Sequence, residues 1–281
     1  MKQIKTRHKL IPAIIMLLVA AITMSTASYA WFTMSSRVEV SGIELSVVAP
    51  TNILIREYKD SAFATFSNKV TVLPNPTNKL NHASSADGVN MFSINKDTAA
   101  NANPTTGVLP ATGTVESVAL KHVDYNDEDG YYFDYKLQLI NTGGAAVKIG
   151  LDDVEITDAN SSPIVGAVRF AILNSTASAN IHTNKPIFAH NNESPIGALT
   201  TVETYSGTPT TSSVSAVNTF TDANGLFTLA ANGELDNSKK DPDNATVVTV
   251  RVWIEGQDAD CITDNSNSAF QVKFEFYVIE P

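Results

Sequence analysis

Three stretches of the chain alternate apolar and polar residues with a period of two. From Tyr132 to Ile140, Phe133, Tyr135, Leu137 and Leu139 share one face, and Asp134, Lys136 and Gln138 take the other. From Ala245 to Glu255, Val248, Val250, Val252 and Ile254 oppose Thr249, Arg251 and Glu255. From Ala269 to Ile279, Phe270, Val272, Phe274, Phe276 and Val278 oppose Gln271, Lys273 and Glu275. Such alternation predicts strands packed on a core by one face. Weaker strands are expected at Lys69–Leu73, Val115–Lys121, Ala146–Leu151, Val165–Leu173 and Leu226–Ala230.

One further strand begins at Val38 and slips in phase. Val38 and Val40 share a face, but after Ser41-Gly42 the apolar set becomes Ile43, Leu45 and Val47. A residue inserted at a glycine reads as a β-bulge, or as a bend between two short strands. Helical spacing is nearly absent; Ser61–Phe66 and Asp87–Phe92 could each form a turn or two. Many strands without strand–helix alternation predict an all-β fold, a jelly-roll-like antiparallel β-sandwich. Residues 74–114 and 174–221 are rich in Asn, Thr, Ser, Ala and Pro and read as long loops decorating it. Loops of that length are expected to contain short hairpins or helical turns.

The N-terminus is of a different kind. Lys2, Lys5, Arg7 and Lys9 precede an apolar run, Leu10 to Ile22, and then the small, polar stretch Thr23 to Ala30. This predicts a secretory signal over 1–30, cleaved between Ala30 and Trp31, with Ser28 and Ala30 as the small residues of the cleavage site. Retention as an uncleaved anchor is the other reading. The thirteen residues from Leu10 to Ile22 fall short of the ~20 that a span needs. The expected mature chain, 31–281, is one sandwich domain, secreted or at the cell surface. It would touch membrane only through the precursor signal.

The formal charge is −10, and loss of the basic head makes it more negative. Nucleic acid and anionic lipid are therefore poor partners. The single cysteine, Cys261, excludes an internal disulfide, so the core must hold the fold. It reads as a small buried hydrophobe rather than a nucleophile, since no histidine lies near it in sequence.

Motifs with chemistry are scarce. Leu109-Pro-Ala-Thr-Gly113 matches the sortase pattern, but it lies far from the C-terminus, and neither an apolar stretch nor a basic tail closes the chain. A loop turn is the plainer reading. Acidic clusters at Asp124–Gly130, at Asp236–Asp243 and at Asp258, Asp260 and Asp264 suit calcium by residue type, yet none has the spacing of a calcium loop. No cofactor is expected, with calcium as the one candidate. His82, His122, His182 and His190 show no metal-binding spacing, and His182 and His190 are expected in solvent. No nucleophile elbow, phosphate loop or dinucleotide fingerprint occurs. No catalytic residue is assigned. Trp253 opposes Val252 and Ile254 and is either an exposed interface residue or buried under a loop.

Ala30-Trp-Phe-Thr33 followed by Val38-Glu-Val-Ser-Gly-Ile-Glu-Leu-Ser-Val47 resembles the TasA/camelysin group of Gram-positive exported proteins. Val252 to Cys261 and the last aromatic strand resemble secreted proteins of the same bacteria. The resemblance covers the two ends of the chain only. It implies a jelly-roll-like sandwich, release by a dedicated signal peptidase, and extracellular fibres in which an N-terminal strand completes the next subunit's sheet. Camelysin-type members have been classed as metallopeptidases, but this chain has no zinc motif and that activity is not carried over. The expected function is a non-enzymatic structural protein of the cell surface or biofilm matrix. Its partner would be itself, head to tail, and its assembly strand Trp31, Phe32, Val38, Val40, Ile43, Leu45 and Val47. Cell-surface or matrix components are further partners. The alternatives are an adhesin that binds a glycan or host protein through its loops, and a secreted hydrolase whose site assembles only in space.

Overall fold

A computed structural model describes residues 44–50, 52–61, 63–72, 80–94, 118–122, 130–158, 163–190, 196–199, 204–205, 211–214, 216–256, 258, 260–261 and 270–279. The chain shuttles between two facing sheets. It starts in the first with β1 (Glu44–Val48), crosses to the second as β2 (Ile53–Glu57) and returns as β3 (Lys69–Val72). β4 (Phe92–Ile94) and β5 (Val118–His122) lie outside both sheets. β6 (Tyr132–Asn141) joins the second sheet and β7 (Val147–Asp158) the first. After a 3₁₀ turn at Pro163–Ala167, β8 (Val168–Leu173) and β9 (Ile187–Phe188) are in the second. β10 (Ile196–Leu199), β11 (Thr204–Tyr205) and β12 (Thr211–Val214) again lie outside. β13 (Ala216–Val217) and β15 (Thr246–Ile254) belong to the second sheet, β14 (Phe227–Leu229) and β16 (Phe270–Ile279) to the first.

The first sheet has the order β14-β7-β16-β1-β3 and the second β13-β9-β8-β15-β6-β2. Strands that pass repeatedly from one sheet to the other give the β-sandwich that the alternation predicts. The sheets are mixed rather than purely antiparallel, because β1 runs parallel to β16 and β13 parallel to β9. Both long loops contain short strands. β10 and β12 pair with each other, and β4, β5 and β11 form a small sheet that joins the two loops. No helix among the described residues is long and apolar enough to cross a membrane.

The core is built from the faces that the alternation picks out. Leu137, Leu139, Val248, Val250, Val252 and Ile254 meet Leu45, Val47, Ile149, Leu151, Val272 and Phe274, all fully buried. A row of rings crosses the gap between the sheets. Phe188 stacks on Phe170 and Phe170 on Phe274, each at 5.0 Å; Phe274 then meets Phe276 edge-on at 5.3 Å, and Phe276 meets Phe227 at 5.7 Å.

β7 extends beyond the expected Ala146–Leu151. Asp153 adopts φ 51°, and pairing with β16 shifts register between Lys273 and Glu275. The extra residue is a bulge, which carries the inward set from Ile149 and Leu151 to Val154 and Ile156 and hides the second half from a period-of-two pattern. The two expected helical turns do not form. At Asp87–Phe92 the Asp87 carboxylate accepts the amides of Val89 (2.9 Å) and Asn90 (2.8 Å), and Gly88 takes φ +74°; this side-chain capture makes a turn instead. At Ser61–Phe66 the backbone is spent elsewhere: Ala64 O accepts from Arg56, and Phe66 N donates to Asn237.

Tyr277 lies over Gly150, where an added Cβ would sit 2.4 Å from the ring, and its hydroxyl donates to Phe220 O at 2.9 Å. Gly150→Ala should push the ring away and break that bond. A loss of about 1–3 kcal/mol is expected in urea unfolding.

Candidate functional site

The polar face of β15 should meet solvent if the strand is half-buried. Instead Thr249, Arg251, Trp253 and Glu255 are all at most 5% exposed. The outer side of the six-stranded sheet is roofed by loops, and a second apolar cluster forms there from Trp253, Tyr132, Met91, Ala83, Ala171, Leu173, Ile187 and Ala189. Of the two readings of Trp253, the buried one holds.

Three buried arginines fix the roof. Arg56 on β2 donates from Nε to Gln138 (2.8 Å) and from Nη2 to Lys239 O (2.6 Å) and Lys240 O (2.9 Å), and lies 4.2 Å over the Phe66 ring. It thus grips the acidic run 236–243 by its main chain. The carboxylates of that run do other work: Asp236 accepts from Ser238, and neighbouring Glu234 pairs with Lys239 at 2.7 Å. Arg251 pairs with both oxygens of Asp134 at 2.8 Å, lies 3.8 Å over Tyr132, and donates to Val89 O at 3.1 Å. Arg169 on β8 pairs with Asp258 at 2.5 Å and donates to Val168 O (3.0 Å) and Gly166 O.

Around Arg169, three carboxylates share one guanidinium. Asp258 also accepts the Asp260 amide at 2.9 Å. Asp260 lies so close to Gly166 that a Cβ there would meet its Oδ2 at 2.1 Å and displace the carboxylate. Glu255 Oε2 accepts Trp253 Nε1 at 3.2 Å and the Ser85 amide at 3.3 Å, and the Ser84 side chain also bonds the carboxyl. Burial pushes the Glu255 carboxyl upward, against the pull of these hydrogen bonds and of Arg169. Burial raises Asp260 as well, helped by the charge of Asp258. Beside them Cys261 is buried, and desolvation holds its thiol well above the usual range, so it carries no thiolate nucleophile.

A cleft of about 300 Å³ opens between the roof segment and the 178–185 turn, lined among others by Asp87, Asn90, Asn180, His182 and Lys185. Its polar groups are largely engaged across it: Lys185 pairs with Asp87 at 3.4 Å, and Asn180 Nδ2 donates to Asp87 O at 3.2 Å. Burial would raise the Asp87 carboxyl, but the Asn90 and Val89 amides outweigh it and hold the group below its ordinary range. His182 packs edge-on against Phe220 at 4.9 Å and accepts the Asn184 amide. His190 accepts the Ile156 amide at 3.1 Å. Both are half-buried, which corrects the expectation that they stand in solvent; each accepts a hydrogen bond from a backbone amide.

Ser28, Ala30, Trp31, Phe32, Val38, Val40 and Ile43 lie outside the described residues, as do Leu109–Gly113, Asp124–Asp129 and Asp264. Leu45 and Val47 fill the core of their own chain. Among the described residues, no group of three or more His, Cys, Asp or Glu side chains is placed to hold a metal ion. The three arginines escaped the sequence reading. Their signal is that three of only five arginines in the chain stand inside apolar strand segments. No protein-family model matches the chain, and comparison with curated proteins gives no match.

Proposed function

We propose that this chain is an exported, non-enzymatic structural protein of the cell surface or biofilm matrix whose subunits join head to tail through the segment Trp31–Val47. The observation that supports the reading is the setting of β1. It is a five-residue strand held between β16 and β3, with Leu45 and Val47 fully buried and only a short link to β2 in the opposite sheet. A neighbour's strand entering the same slot would make the same ladder and fill the same pockets, which is the physical basis of strand exchange. Among the described residues, the three buried arginines are committed to holding the roof: Arg169 to Asp258, Arg251 to Asp134, and Arg56 to the 236–243 main chain. The resemblance of the N-terminal segment to the TasA/camelysin group points the same way.

The adhesin reading is kept for one observation, the cleft between the two long loops. Secreted protein should begin at Trp31 by N-terminal sequencing. By electron microscopy it should form filaments at high concentration and mildly acidic pH, where carboxylate repulsion weakens. A protein that stays monomeric throughout, or that gains large, saturable stability from calcium, would turn the choice to the adhesin.

A further inference from the structure

The roof segment 80–94 is held differently at its ends and in its middle. Leu80 is fully buried in the main core, and Met91 and Phe92 are buried at the other end. Between them runs Ala83-Ser-Ser-Ala-Asp-Gly-Val89, whose side chains are small or polar. It buries little apolar surface, so its hold on the sheet is mostly polar. Ala83 exchanges backbone hydrogen bonds with the end of β15, to Ile254 O (3.0 Å) and from Gly256 N (2.8 Å). Gly88 lies flat on Ala171, where a Cβ would meet the Ala171 Cβ at 2.4 Å. Arg251 takes the Val89 carbonyl. A further fastening is Glu255, which takes the Ser85 amide and the Ser84 side chain while bound to Trp253 below, and Asn180 and Lys185 hold Asp87 from across the cleft.

We propose that Ala83–Val89 is a strap that a protonated Glu255 fastens and an ionised Glu255 releases, widening the cleft whose wall the strap forms with Asp87, Val89 and Asn90. Glu255 is completely enclosed. From β8 Arg169 acts on it; in the turn after β15, Cys261 lies beside it, and Asp258 and Asp260 draw on the same Arg169. Just before the strap lies His82, whose ring edge adjoins Gly256, and within the strap Asp87 is turned to Lys185. On the sheet beside it, Asp134 is already matched by Arg251. One guanidinium, already paired with Asp258, cannot also offset Glu255. With Glu255 ionised the enclosed set of Arg169, Asp258 and Glu255 carries a net charge of minus one; with a proton on Glu255 it is neutral, and the partly exposed Asp260 adds negative charge beside it. Burying unpaired charge is costly enough that the proton is retained or the strap lifts. The direction of the Glu255 and Asp260 shifts agrees.

The sign follows. A carboxyl that is raised when the strap is docked, and ordinary when it is lifted, supports docking fully below its ordinary range. That support fades as pH rises toward the docked-state value. Hydrogen exchange on the full chain, with rates divided by their intrinsic values, should show protection of the 83–89 amides falling by about tenfold per pH unit through that window. The Trp253 indole N–H resonance should move over the same window. Glu255→Gln, which keeps a neutral acceptor there, should hold both constant. An unchanged pH profile in Glu255→Gln would overturn the proposal, as would a flat profile in the wild type, or a profile that persists in Glu255→Gln and vanishes in His82→Asn. Where Glu255→Gln fails to fold, the wild-type indole decides: movement in step with the loss of protection supports the strap, and a static indole overturns it.

Discussion

Replacing Arg169 with alanine is expected to lower the stability of the fold by about 3–5 kcal/mol, the cost of leaving a buried carboxylate without its partner. The guanidinium is 1% exposed and the Asp258 side chain 9% exposed, so water cannot take over the pairing. The loss reaches further than one ion pair, because Asp260 and Glu255 draw on the same positive charge. Urea unfolding of Arg169→Ala, Asp258→Asn and the double variant measures this. The double variant should be less damaged than the two single losses added together, since the second substitution removes the charge that the first strands. Purely additive losses would mean that the two residues do not act as a pair.

Phe274→Ala is the second large loss, about 3–5 kcal/mol for an aromatic removed from a closed core. Phe274 is fully buried, and it is the ring through which Phe170 of the second sheet meets Phe276 of the first. Its removal opens a cavity at the seam between the sheets, where neither rigid ladder can close it. Phe274→Leu should cost clearly less, since it restores part of the volume. Thermal unfolding of the two variants separates the outcomes; equal and small shifts would show that the ring row contributes little beyond filling space.

The strand alternation made the sandwich legible because β6, β15 and β16 each turn a continuous apolar face to one core. Where the backbone departs from a period of two, the pattern fails. The bulge at Asp153 conceals the second half of β7. In the small sheet of β4, β5 and β11, only β5 had a strand signal, in the expected Val115–Lys121; β4 and β11 are short pieces of the long loops paired with it. The roof was legible only in part. Trp253 opposite Val252 and Ile254 marked a second face that needed cover, but which segment supplies it is a matter of chain path. The arginines illustrate the same limit. Arg56, Arg169 and Arg251 look in sequence like the solvent side of a strand, and each is buried because a loop delivers carbonyls or a carboxylate to it from far along the chain. The acidic clusters show the converse. Asp236 and Asp258 lie in runs that suggest an ion, and their partners are Ser238 and Arg169.

In the assembly reading β1 is the exchanged strand, filling its own slot in a monomer and a neighbour's slot in a filament, and the residues before it are the part that a neighbour alone would cover. Sedimentation of the mature protein with and without Trp31–Ser36, at matched concentration, tests that division most directly. The account predicts filaments from the full-length mature protein, and a monomer with unchanged thermal stability from the truncated one. Filaments formed equally well by the truncated protein would contradict it.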